Sequence, residues 1–136
     1  MNVLFVCIGN QGRSVMAERL FARTAAGAHE ARSAGAEPGD VVHPEVVAAL
    51  REVGIDASDH VPHKLDDDDL AWADVAVAVC GYDICPVTPG VRRLSWPVDD
   101  PIGLPIEQVR PIRDEIESRV EQLARELSAE SGAATV

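Results

Sequence analysis

Lysine is nearly absent from this chain. Of 12 basic residues, set against 23 acidic ones, only Lys64 is a lysine, and the formal net charge is −11. A surface this acidic repels a phosphate backbone or an anionic bilayer, which argues against nucleic acid and membrane as partners. Any anion that binds must be held by a local positive site against the overall field. No apolar run approaches the roughly 20 residues needed to span a bilayer. The opening Met1-Asn2-Val3-Leu4 has neither the basic region nor the apolar stretch of a signal peptide. Cysteine is scarce as well. Three residues are an odd count and too few for a disulfide framework, so they are expected to be reduced thiols of a cytoplasmic protein, used for their reactivity. There is no internal repeat and no Ser/Gly-rich linker. What is present is a 136-residue globular profile, 46% apolar and 26% charged, sized for one hydrophobic core. The expectation is a single domain over residues 1–128 with a flexible tail over residues 129–136.

Val3-Leu4-Phe5-Val6 and Val75-Ala76-Val77-Ala78-Val79 are continuous apolar runs, the pattern of strands buried on both faces in a parallel sheet. A short strand near Ala31-Arg32-Ser33, ending at Gly35, and another at Val91-Arg92-Arg93-Leu94 complete the set. Ser14 to Arg23 is rich in helix formers, with Met16, Leu20 and Arg23 sharing a face with Ala17 and Phe21. Pro44 suits a first helical turn, and Val46, Val47, Leu50 and Val53 recur at helical spacing up to Gly54. Asp66 to Asp69 open a short helix, since carboxylates complement its positive end, and read as a solvated helix start. Pro105 begins a long helix with Val109, Ile112, Ile116, Val120, Leu123 and Leu127 on one stripe. Pro111 removes a backbone donor inside it and predicts a kink or a late start. The alternation predicts a three-layer, doubly wound α/β domain with a parallel sheet. Ligands gather at the carboxyl ends of the strands in such sheets.

At one such end stands Cys7-Ile8-Gly9-Asn10-Gln11-Gly12-Arg13-Ser14, between the first strand and the first helix. A loop entering a helix N-terminus turns several N–H groups toward one point, an anion site made without lysine. Gly9 and Gly12 are expected to let the backbone curl around an oxyanion, and Arg13 adds a planar fork for its oxygens. The same positive field favours the thiolate of Cys7, the form that attacks, and the Ser14 hydroxyl is placed to donate to it. C-x5-R alone is a weak pattern; the strand before it and the helix after it give it weight.

These residues, with Met16-Ala17-Glu18, Ser33-Ala34-Gly35, Cys80, Cys85-Pro86, Trp96, Asp99-Asp100-Pro101 and Arg113-Asp114-Glu115-Ile116, resemble the low-molecular-weight protein tyrosine phosphatase superfamily. More closely, they resemble the arsenate reductases of that fold, coupled to thioredoxin or to mycothiol. The resemblance covers nearly the whole chain before the tail and implies a four-stranded sheet in the order 2-1-3-4.

Trp96-Pro97-Val98-Asp99-Asp100-Pro101 follows the last expected strand and can hang over the same sheet edge. Alone, Asp-Asp-Pro reads as a turn. Beside Cys7 and Arg13 it reads as catalytic, because displacement at phosphorus or arsenic leaves a developing oxyanion that a protonated carboxyl relieves. The resemblance makes Asp100 the general acid and leaves Asp99 a turn or capping role. Ile102 and Gly103 follow where the phosphatases usually carry aromatics lining a tyrosine slot, which favours a small inorganic oxyanion, arsenate over an aryl phosphate.

Cys80 ends its strand and Cys85 follows after Gly81-Tyr82-Asp83-Ile84. Reducing arsenate needs electrons. Cys7 would attack arsenic, a second thiolate would attack the Cys7 sulfur and release arsenite, and in thioredoxin-coupled relatives two cysteines here pass the disulfide on. The resemblance gives Cys80 and Cys85 that role, although Cys80 also fits a small core residue. Their short spacing leaves two electron donors open: thioredoxin acting on the internal pair, or mycothiol with a redoxin, since the lysine-poor, arginine-rich composition is compatible with an actinobacterial host, where mycothiol is used. Two rival functions remain beside the reductase: a phosphatase hydrolysing phosphate monoesters through a phosphocysteine, and a non-catalytic oxyanion-binding or redox-sensing protein.

No bound cofactor or metal is expected. Pro62 spoils the helical spacing of His60 and His63. Some relatives hold potassium beside the anion loop at positions matching Asn10, Glu18 and Ser33. Val61 and His63 occupy the remaining ligand positions and are poor potassium ligands, so Asn10 and Ser33 are expected to stiffen the loop by bonding its backbone instead.

Overall fold

The computed structural model describes residues 1–80 and 88–133, so Cys85 and Tyr82 lie outside the described residues. The elements in chain order are β1 (Asn2–Cys7), α1 (Arg13–Ala25), β2 (Glu30–Gly35), α2 (Pro44–Arg51), α3 (Asp67–Trp72), β3 (Val75–Ala78), β4 (Arg92–Ser95) and α4 (Ile106–Ala133). All the strand pairings are parallel and the sheet order is β2-β1-β3-β4, as the resemblance implied.

The apolar runs explain why β1 and β3 are central. Successive side chains point to opposite faces, so a strand with no polar residue must be covered on both. Val3 and Phe5 of β1 pack with Val75, Val77 and Val79 under the larger helical layer, where Leu20 and Phe21 of α1, Leu50 of α2 and Ile116 of α4 meet. Leu4 and Val6 face the other way, with Ala34, Ala76 and Ala78, against Leu70 and Ala73 at α3. Phe5 reaches Phe21 and Trp96 with ring centroids 5.6 and 5.9 Å apart, tilted as such pairs prefer. Each fully buried side chain of this size contributes about 1.5–3 kcal/mol. The outer strand β4 differs: Arg92 and Arg93 are exposed, and charge on an edge strand discourages pairing with another chain.

Some elements depart from expectation. Arg23 is exposed and not on the buried face of α1; its guanidinium reaches the Val53 carbonyl and Glu117. α4 starts directly after Pro105 and runs through Pro111 without the late start. Only the carbonyl of Glu107 loses its helical donor there. Every residue of the predicted stripe, from Val109 to Leu127, is buried. The helix continues past Ala129 to Ala133. The aspartate run is also more than a solvated start. Asp66 and Asp69 form a reciprocal capping box, and Asp69 is buried, accepting from His63 Nε2 at 2.8 Å and facing Arg32 at 3.7 Å. None of the described helices is long and apolar enough to cross a membrane.

The parallel registers bring strand ends to one edge: Cys7 lies opposite Gly35, Val6 opposite Ala78, and Ala78 opposite Ser95. The loops that follow them build the site.

Candidate functional site

Between β1 and α1 the chain runs alongside residues 36–43. The carbonyls of Cys7, Ile8, Gly9 and Gln11 accept the N–H groups of Ala36, Glu37, Gly39 and His43 at 3.1, 2.8, 3.1 and 3.0 Å. With its carbonyls held on that side, the loop turns its amides inward. Among the described residues the N–H groups of Ile8, Gly9, Gln11 and Gly12 find no partner. They line a cavity of about 190 Å3, together with Cys7, Arg13, Glu37, His43 and Asp100. Clustered donors without partners at a helix N-terminus are an anion site.

The one left-handed residue of the loop is not a glycine. Neither Gly9 nor Gly12 takes a positive φ; the left-handed residue is Asn10, at φ 51°, a conformation asparagine tolerates better than most. Gly12 is needed for space, since a Cβ there would stand 2.9 Å from the Pro101 ring. Gly35 serves likewise, because a Cβ would meet the Ile8 carbonyl at 2.7 Å and the Asn10 amide at 2.9 Å.

Cys7 is buried, 3% exposed. Its Sγ lies 2.9 Å from Ser14 Oγ and accepts the Asn10 N–H at 3.2 Å. The direction of the serine contact follows from its neighbours. Asn10 Oδ1 accepts the His63 backbone N–H at 2.9 Å, which fixes the amide so that Nδ2 donates to Ser14 Oγ at 2.8 Å. The serine proton is then free to point at sulfur. His60 Nε2, 2.9 Å from the same Oδ1, must carry the hydrogen of its ring. Burial holds His60 below its ordinary pKa of 6.5, so the neutral tautomer with a proton on Nε2 is the resident form. Asn10 therefore bonds side chains and the His63 backbone, not the backbone of its own loop. Ser33 donates to Glu18 and likewise leaves the loop backbone alone.

Arg13 is buried. Its Nη1 donates to the Val98 carbonyl at 2.9 Å and its Nη2 lies 3.5 Å from Asp100 Oδ2. That anchor fixes the guanidinium plane and ties the aspartate loop to the anion loop. Asp100 is half exposed and its Oδ1 accepts the Ile102 N–H at 3.0 Å. Asp99 is exposed and does not line the cavity. The described lining contains no aromatic residue.

Cys80 is buried in the turn after β3. The Val79 N–H donates to the Val6 carbonyl at 2.8 Å, so Cys80 stands one residue beyond the point where the chain passes Cys7. Sequence reasoning weighed His60 only as a metal ligand and missed Glu37 and His43; all three reach the site over separations that leave no local pattern. His63, Asp66 and Asp69 bring one ligand atom each within 4.8 Å of one another. His63 Nε2 already bonds Asp69 Oδ2 at 2.8 Å, the carboxylates of Asp66 and Asp69 each accept the other's backbone N–H at the start of α3, and Arg32 stands 3.7 Å from Asp69.

A model of the family described as low molecular weight phosphotyrosine protein phosphatase matches residues 2–133. An arsenate reductase of Brevibacillus brevis is 39% identical over 125 residues, covering 90% of this chain and 92% of the relative. Among solved structures, the thioredoxin-dependent arsenate reductase Cg_ArsC1' of Corynebacterium glutamicum superposes with a TM-score of 0.82 at 34% identity over 95% of this chain; the match spans 62% of that protein. The YwlE arginine phosphatase of Geobacillus stearothermophilus superposes with a TM-score of 0.81 at 28% identity, over 95% of this chain and 94% of its own.

Proposed function

The chain belongs to the low molecular weight phosphotyrosine protein phosphatase family, and we propose that it acts there as an arsenate reductase. The observation that carries this is the cavity itself. Unpartnered amides, a guanidinium and a buried thiol converge in about 190 Å3 with no aromatic wall among the described lining residues, a space suited to a bare tetrahedral oxyanion. The similarity to arsenate reductases over nine-tenths of the chain supports it.

Cys7 Sγ attacks arsenic while the loop amides other than that of Asn10, which donates to the sulfur, and the Arg13 guanidinium hold the remaining oxygens. Asp100 protonates the departing oxygen, which leaves as water. The Ser14 hydroxyl steadies the thiolate before attack. A second thiolate then attacks the Cys7 sulfur. The S–As electron pair stays on arsenic, arsenite leaves, and the two sulfurs become a disulfide. Cys80 is our candidate for that second thiol, with Cys85 as the partner that takes the disulfide on. A thiol reductant closes the cycle, in a cytoplasmic setting that keeps thiols reduced. Similarity to a thioredoxin-dependent enzyme supports a redoxin, and mycothiol with a redoxin is the other donor. The protein itself needs no bound cofactor in this scheme.

The second reading is a phosphatase with the same first step and water in place of the second thiol, supported by the similarity to an arginine phosphatase. Arsenate-dependent oxidation of a thiol pool, abolished by Cys7→Ser and strongly reduced by Cys80→Ser, supports the reductase. Steady phosphate-ester hydrolysis untouched by Cys80→Ser and Cys85→Ser, without arsenate turnover, makes it a phosphatase. Oxyanion binding with neither activity makes it a binding or sensing protein.

A further inference from the structure

β2 is an edge strand whose outer side is only partly covered. In a parallel ladder the N–H and C=O of one residue point to the same side, and successive residues alternate. The N–H groups of Glu30 and Ala36 point inward, donating to the Met1 and Cys7 carbonyls at 3.0 and 3.1 Å. Gly35 points outward. Its N–H donates to the His63 carbonyl at 2.8 Å and its carbonyl accepts the Leu65 N–H at 2.9 Å, which makes a one-residue parallel bridge to Lys64. The same alternation turns the N–H and C=O groups of Ala31 and Ser33 outward, where they find no partner among the described residues. The chain leaves the edge at that point. The His63 N–H, which a longer bridge would give to the Ser33 carbonyl, goes to Asn10 Oδ1 instead.

A cavity of about 440 Å3 opens along this uncovered stretch, with Glu18 of α1 on one wall and Asp66, Asp68 and Asp69 at the start of α3 on the other. Arg32 lies over the Trp72 ring, 4.3 Å from its centroid, and offsets Asp69 at 3.7 Å. Asp66 and Asp68 are exposed and carry the excess negative charge of that wall.

We propose that the outer edge of β2 is a docking site for an extended basic segment of a partner protein, added to the sheet as a further strand beside Ala31 and Ser33. The free main-chain groups supply the pairing and the walls supply the selection, as in other strand additions. Side chains of the added strand alternate between the two faces of the sheet. Those level with Arg32 meet the aspartates of α3, so basic residues suit that side. Those level with Ser33 meet Glu18, which already accepts from the serine hydroxyl, so small polar residues suit the other. A second copy of this chain, with its net charge of −11, is repelled by such walls. The groove shares no lining residue with the oxyanion cavity, so arsenate turnover has no bearing on it.

The test uses the full chain and a short, dye-labelled, C-amidated peptide of alternating threonine and arginine, read by fluorescence anisotropy. The same peptide with every main-chain nitrogen methylated keeps its charge and loses its donors. It should bind at least about tenfold more weakly, the worth of one or two main-chain hydrogen bonds. Ala31→Pro removes one outward N–H at a place where edge strands tolerate proline, and should weaken the parent peptide about fivefold. Asp68→Asn should weaken it about threefold, the scale of one exposed ion pair. Amide hydrogen exchange gives a readout that charge attraction alone does not move. Ala31 and Ser33 should exchange freely in the peptide-free chain and slow by about tenfold or more at saturation, while Arg32 and Ala34 stay protected throughout. The methylated peptide and the exchange measurement use the native chain, so they decide the matter even if Ala31→Pro fails to fold. Absence of binding, a methylated peptide that binds as tightly as the parent, or unchanged exchange at Ala31 and Ser33 overturns the proposal. A peptide-free chain that sediments as an oligomer with those two amides already protected also overturns it, and makes a second copy the occupant.

Discussion

Ser14 has one proton and two neighbours that want it, Cys7 Sγ and the Asn10 amide. The orientation of Asn10 decides between them. With Oδ1 held by the His63 N–H and His60, the amide offers Nδ2 to the serine and the serine proton goes to sulfur. Ser14→Ala should therefore slow the first displacement by about 10- to 100-fold, the worth of one hydrogen bond to a charged group, measured by rapid quench of a single turnover with arsenate. Asn10→Asp makes a sharper case. Aspartate tolerates the left-handed backbone of residue 10 but presents an acceptor to Ser14, drawing the proton away from sulfur. It should slow the same step comparably, and Ser14→Ala with Asn10→Asp together should be no slower than the worse single variant. Additive losses would mean that asparagine acts by another route. The Cys7, Arg13 and Ser14 cluster is legible in the sequence because eight consecutive residues carry it. His60 is not, since it arrives from 50 positions away with no periodicity to announce it.

At the scale of elements, apolar patterning was the most legible signal. A strand without polar residues has to be central, and the stripe on α4 has to face the core. Ile116 is fully buried at the middle of that stripe. Ile116→Ala should cost about 2–5 kcal/mol of stability in urea unfolding while turnover per folded molecule stays unchanged. A cost under about 1 kcal/mol would mean that the layer relaxes around the gap. Segment 36–43 was illegible for the opposite reason. Glu37-Pro38-Gly39-Asp40-Val41 reads as an ordinary polar connection, yet its backbone N–H groups orient the anion loop. Backbone hydrogen bonds between two loops are nearly independent of side-chain identity, so the sequence records them only through the glycines that leave space.

The whole molecule should lose stability in acid in separable steps. His29 is buried, its Nδ1 3.0 Å from the Met1 amine and its Nε2 3.1 Å from Ser128 Oγ. Burial first, then the terminal charge, hold its pKa below the ordinary 6.5, and burial lowers His60 as well. The unfolded chain therefore takes up protons below pH 6.5 that the folded chain refuses. Stability present at neutral pH declines as pH falls through that value. Thermal midpoints should drop between about pH 7 and about pH 5, and His29→Gln should flatten the slope; a flat or rising wild-type profile would contradict this. Glu52, held at about 2 chiefly by hydrogen bonds from Arg110 and then Arg113, loses its contribution only as pH falls from 4.5 toward that value. Sheet order came from family resemblance and the parallel class from alternation of strands and helices, and both agree with the observed fold. The central chemical claim is that Cys7 reduces arsenate with electrons from a second thiol. Pre-reduced protein, mixed with arsenate without external reductant, should release arsenite stoichiometrically with the loss of a thiol pair, and Cys7→Ser should release none. Arsenite formed equally by Cys7→Ser, or no arsenite and no thiol loss from the wild-type chain, would contradict the account.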